Sequence, residues 1–108
     1  MVEIVKIDDE KWKESLNKAL PVFKNINAEL GIFVLGPGER SPEQGFSVHP
    51  HSEEYAYILK GEVTFCTDKE CYHLKKGDLM YNVKGTPHYT ENRGEKEAKI
   101  LWVVSPPL

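Results

Sequence analysis

No stretch of the chain reaches the roughly 20 consecutive apolar residues that a membrane-spanning helix requires. The N-terminal Met1-Val2-Glu3-Ile4-Val5-Lys6 lacks the apolar core of a secretory signal, so the expectation is a cytoplasmic protein with no membrane partner. Positive charge is also scarce. Lysine and arginine total 14 against 17 aspartates and glutamates, a formal net charge of -3, and arginine is confined to Arg40 and Arg93. With no basic field to attract phosphates, nucleic acid is not expected as a partner. Cysteine is limited to Cys66 and Cys71, too few for the disulfide framework of a small secreted domain. Their C-x4-C spacing without a second pair is a poor zinc signature. They flank Thr67-Asp68-Lys69-Glu70, which reads as a hairpin turn. That placement permits a bridge, but a reducing cytoplasm favours two free thiols with a structural role.

Helical periodicity is confined to one segment. Asp8 or Asp9 caps it, acidic residues fill its first turn, Trp12, Leu16 and Leu20 repeat at i, i+4 and i+8, and Pro21 closes it. What the chain does have is a series of short strand-like runs at intervals of about ten residues, the pattern of a sandwich or barrel. The expected runs are 28–35, 46–51, 54–60, 62–66, 71–74, 79–83, 89–92 and 99–104. Breakers separate them, among them Gly36-Pro37-Gly38, Ser41-Pro42, Lys75-Lys76-Gly77-Asp78, Lys84-Gly85-Thr86-Pro87 and Arg93-Gly94. At 108 residues the chain is long enough to bury a core of its own. The expected division is an N-terminal strand and helix extension over 1–25, packed on an all-β barrel over 26–108.

Three of the four histidines fall in two short segments. His49 and His51 form an H-x-H pair followed by Glu53 and Glu54, and His88 follows Gly85-Thr86-Pro87. On an extended strand, residues two apart share a face, so His49 and His51 are expected to point the same way. Counting from Glu54, Ala56 and Ile58 face inward, while Tyr55, Tyr57 and Leu59 face outward and need a cover: the Trp12 helix or a second subunit. Glu53 as the inward carboxylate would instead send Tyr55 and Tyr57 into the interior. Imidazole and carboxylate together suit divalent transition metals better than calcium or magnesium. His73 has no partner in the pattern and reads as a surface residue.

At these residues the chain resembles the cupin superfamily, in its small single-domain form with one conserved barrel. The first motif of that family is G-x5-H-x-H-x3,4-E-x6-G, matched here by His49, His51, Glu54 and Gly61. The second is G-x5-P-x-G-x2-H-x3-N, matched at every spacing by Gly77, Gly85, His88 and Asn92, with Val83 where proline is usual. Two departures fall in the first motif. Only two residues separate His51 from Glu54, and only three, rather than five, separate Gly45 from His49, which leaves both Glu53 and Glu54 open as the carboxylate.

The resemblance implies a double-stranded β-helix, or jelly-roll, with one N-terminal helix. It implies one divalent transition metal per chain (Mn, Fe, Ni, Cu or Zn) held by His49, His51, Glu54 and His88, with Asn92 as a supporting or structural hydrogen bonder. A metal-dependent oxygenase, isomerase or lyase acting on a small polar or anionic molecule is the leading expectation. Tyr81, Asn82 and Glu53 lie within reach as acid–base groups, and Arg40 as a clamp for an anion. The other expectation is a non-catalytic ligand sensor like the effector domains of transcription regulators, although this chain carries no helix-turn-helix. Family habit and the outward tyrosines imply a homodimer.

Overall fold

The computed structural model describes all residues, Met1–Leu108. One short helix, α1 (Asp9–Glu14), precedes nine strands: β1 (Leu20–Lys24), β2 (Glu29–Leu35), β3 (Arg40–Ser41), β4 (Glu53–Lys60), β5 (Glu62–Thr67), β6 (Cys71–Lys75), β7 (Leu79–Asn82), β8 (His88–Glu91) and β9 (Ala98–Ser105). They form a five-stranded sheet, ordered β1-β2-β9-β4-β7, facing a four-stranded sheet, ordered β3-β8-β5-β6. All named pairings are antiparallel. β6 and β7 end their respective sheets without pairing to each other, so the jelly-roll is not a closed barrel.

The core lies between the sheets. Inward residues of β2 (Phe33, Leu35), β4 (Ile58), β5 (Val63) and β9 (Ala98, Ile100) pack into one cluster. Ile58 is 1% exposed, and burying a side chain of that size stabilises the fold by about 1.5–3 kcal/mol. Alternation on β4 follows the parity expected from Glu54: Ala56 and Ile58 turn inward, whereas Tyr55, Tyr57 and Leu59 stay exposed. Gly31 is required by packing, because a Cβ there would overlap both the Trp102 indole and the Leu20 carbonyl.

The helix ends earlier than its apolar spacing predicts. Asp8 caps it, its side chain accepting from Lys11 N at 3.0 Å. Beyond Ser15 the chain leaves the helix to pair with β2: Val34 N donates to Ser15 O at 3.0 Å and Asn17 N to Val34 O at 2.7 Å. Asn17 adopts a positive φ of 55°, the left-handed conformation that ends helices and that asparagine tolerates. Leu20 therefore opens a strand instead of closing a helix. Pro21 is accommodated because β1 is an edge strand, where a missing N–H need not break a ladder. Residues 20–24 thus belong to the five-stranded sheet. The helix contacts β2, and the Lys99 ammonium lies over the Trp12 ring at 4.8 Å, so α1 does not cover Tyr55 and Tyr57.

Two further expectations are corrected. The run 46–51 is not a strand; it is a loop joined to β8 by the single bridge Ser47↔His88. Cys66 and Cys71 are not free thiols but a disulfide. The hairpin register sets the two directly opposite each other, with a Cα–Cα separation of 4.0 Å. Composition carries no information about that register.

Candidate metal centre

Three segments converge at one end of the space between the sheets. β4 brings Glu54, β8 opens with His88, and the loop before β4 brings His49. The loop is held by backbone contacts to the start of β8. Ser47 N donates to His88 O at 2.8 Å, His88 N to Ser47 O at 2.9 Å, and Gly85 N to His49 O at 2.8 Å. As a result, one ligand-type atom from each of His49, Glu54 and His88 lies within 4.8 Å of the other two. The two imidazole centroids are 5.0 Å apart, and Phe65 stacks on the His88 ring at 5.3 Å with an interplanar angle of 19°.

Hydrogen bonding assigns the tautomer of His88. Nδ1 lies 2.9 Å from the Thr86 carbonyl oxygen, which can only accept, so Nδ1 carries the hydrogen. Asn82 Nδ2, 3.2 Å from the same nitrogen, cannot also donate to it; its acceptor is Glu54 Oε1 at 3.4 Å. Nε2, the other ring nitrogen, is thereby turned toward Glu54 Oε1, 3.4 Å away. A proton or a metal cation shared between the two atoms makes such a contact favourable. Metal-binding histidines commonly donate their second ring N–H to a backbone carbonyl in this way. Burial lowers the His49 pKa below its ordinary value. Proximity to Glu54 raises it, the smaller effect, and His88 adds a further lowering. The neutral, ligating form is the one favoured.

The other residues singled out from sequence lie elsewhere. His51 is exposed in the Pro50-His51 turn, outside the cluster. The segment is not extended, so the two-residue period that would align it with His49 does not apply, and the short gap to Glu54 leaves no room for a strand. Glu53 faces outward, accepting from Lys84 N at 2.8 Å. It also bonds the Tyr81 hydroxyl, which raises the Tyr81 pKa by stabilising the protonated phenol. Tyr81 is 54% exposed and stacks on Tyr55 at 5.2 Å, so it is on the outer face.

Asn92 is fully buried but structural. It donates to Leu35 O at 2.9 Å and Lys96 O at 2.8 Å, and accepts from Gly94 N at 2.9 Å. Arg40 is occupied by its own loop, donating to Gly45 O at 2.7 Å and to Glu43 O at 3.4 Å, with its guanidinium 3.8 Å above the Tyr89 ring. His73 is exposed and lies 3.2 Å from Glu62. Asn82 was within reach in the sequence, but its role beside His88 and Glu54 depends on the β4–β7 register, which pairs it with Glu54. The part played by Phe65 had no sequence signal.

Behind the three donors lies a cavity of about 230 Å³ with 18 lining residues, 12 of them hydrophobic. His49, Glu54 and His88 are its only titratable lining residues.

The family model for the cupin domain matches residues 31–104. Among similar proteins, the tetracenomycin polyketide synthase protein TcmJ of Streptomyces glaucescens is 31% identical over 77 residues, covering 71% of this chain and 50% of that protein. An uncharacterised protein of Methanocaldococcus jannaschii is 34% identical over 88 residues, covering 80% of this chain and 66% of its own. The chain thus spans about half to two-thirds of the length of these relatives. The crystal structure of a predicted oxalate decarboxylase from Thermotoga maritima superimposes with a TM-score of 0.68 at 28% identity, over 77% of this chain and 70% of that one.

Proposed function

The chain belongs to the cupin family, and on that footing we propose that it is a metal-dependent cupin enzyme whose ligand set is His49, Glu54 and His88. The observation that carries this reading is the convergence of one ligand-type atom each from His49, Glu54 and His88 within 4.8 Å of one another. Two neutral imidazoles and one carboxylate suit a divalent transition metal, and two histidines with one carboxylate form a recurring iron(II) set. Once bound, such a metal supplies Lewis acidity at open coordination positions. Thr86 O fixes the His88 ring, Asn82 orients the Glu54 carboxylate, and the apolar walls exclude water. Relatives named as a polyketide synthase protein and a predicted oxalate decarboxylase support small-molecule chemistry at this site.

A second reading, a ligand-binding cupin without turnover, has one observation in its favour. No titratable side chain other than the three donors lines the cavity, so no separate general acid or base stands ready. The experiment that separates the readings starts from metal content. Protein purified without a histidine tag should hold close to one transition metal per chain, and His88→Ala should lose both metal and turnover. Ligand affinity that survives without turnover in the loaded protein would favour the binding module.

We also propose a homodimer, supported by the uncovered outer face of β4 and β7 at Tyr55, Tyr57, Leu79 and Tyr81.

A further inference from the structure

Cys66 and Cys71 share one bond but sit in unlike surroundings. Cys66 is 1% exposed, on β5 between β6 and β8. Cys71 is exposed and opens β6, an edge strand with a neighbour on one side only. Charge divides the pair as well. Arg93 Nη2 lies 4.0 Å from Cys66 Sγ, with Glu91 holding the same guanidinium through Nε at 3.5 Å. Beside Cys71 the chain places the acidic Glu70, whose carboxylate accepts from the Tyr72 hydroxyl.

Thiol–disulfide exchange is governed by these two differences. The attacking thiolate must reach one sulfur, and the other must leave as a thiolate, which it does faster the lower its pKa. A guanidinium beside a sulfur favours the thiolate form. Access selects Cys71 as the sulfur attacked, and charge selects Cys66 as the one that leaves. The two criteria agree.

We propose that the bridge is an exchange site for low-molecular-weight thiols, with Cys71 as the residue modified and Arg93 stabilising the departing Cys66 thiolate. A bond forms between the incoming sulfur and Cys71 Sγ as the Cys71–Cys66 bond breaks. The electron pair of the broken bond stays on Cys66 Sγ, beside Arg93. A second thiolate then attacks the small-molecule sulfur of the mixed disulfide and releases Cys71. Two thiols are oxidised to one small disulfide, the bridge is reduced, and the two thiol protons end on the cysteines. The proposal is independent of the metal reading.

The test mixes folded wild type with mercaptoethanol, quenches in acid, digests with pepsin and locates the adduct by tandem mass spectrometry. The adduct should sit on Cys71. Arg93→Gln should slow loss of the bridge at least about threefold, the effect of a tenfold change in leaving-group acidity at a Brønsted slope of about 0.5. Arg93→Lys, which keeps the charge, should stay within about twofold of wild type. In unfolding urea, where Arg93 is no longer held beside Cys66, the three rates should converge. The Arg93 side chain is 53% exposed, so its replacement should spare the fold. Glu91→Gln is a second variant, which frees the guanidinium for the sulfur and should be reduced no more slowly than wild type. A bridge that resists the thiol in the folded protein, an adduct on Cys66, or equal native rates for wild type and Arg93→Gln overturns the proposal. Slower reduction of Glu91→Gln also overturns it.

Discussion

His88 acts through both faces of one ring. Nδ1–H is fixed by Thr86 O at 2.9 Å, which turns Nε2 toward Glu54. Replacing Asn82 by Ala should therefore weaken metal affinity by about 10–100-fold without removing a ligand, the usual cost of losing a supporting hydrogen bond. Competition with a fluorescent chelator measures it. Acid should act on the same residues. A lowered folded-state pKa at His49 means that the unfolded chain binds the proton more readily. The stability this group contributes is present above its ordinary pKa of 6.5 and is lost as pH falls from there through the lowered value. Urea midpoints of the metal-free protein measured across that window should fall toward acid, and His49→Gln should flatten the profile. The His88 motif is intact in the sequence, and the parity of β4 places Glu54, rather than Glu53, toward the interior. His51 was not legible, because H-x-H aligns two rings only on a strand, and residues 48–51 form a loop and turn.

At the scale of elements, pairing decided what periodicity could not. Trp12, Leu16 and Leu20 have helical spacing, yet the chain leaves the helix at Ser15 because Val34 of β2 offers backbone partners to Ser15 and Asn17. Such competition is tertiary and invisible along the sequence. The β5–β6 hairpin makes the same point: its turn was legible, but the register that bridges Cys66 and Cys71 was not. A link closing so short a loop stabilises a fold by about 2 kcal/mol in the chain-entropy account. Cys71→Ser should lower the unfolding free energy by about that amount, with an equal loss in wild type treated with dithiothreitol. Ile58→Ala on β4 should cost more, about 2–5 kcal/mol, because it opens a cavity in the packed core. Denaturant titration ranks the two.

For the whole molecule, two sheets of five and four strands flank an apolar space that the three donors line, and β6 and β7 do not pair with each other, which leaves the barrel incomplete. The outer face remains uncovered, with Leu79 at 74% exposure beside Tyr55 and Tyr81. The proposed homodimer should elute from gel filtration at twice 12.4 kDa, and Tyr81→Glu should shift it toward the monomer. In the interior, the proposed metal site has three ligands, not four. Cobalt titration of wild type, His49→Ala, His51→Ala and His88→Ala separates three ligands from four. Wild type and His51→Ala should each bind one equivalent with affinities within about twofold, and the other two variants should lose more than the 10–100-fold of a supporting residue. Equal losses in all three variants, or no cobalt bound by wild type, would contradict a three-ligand site.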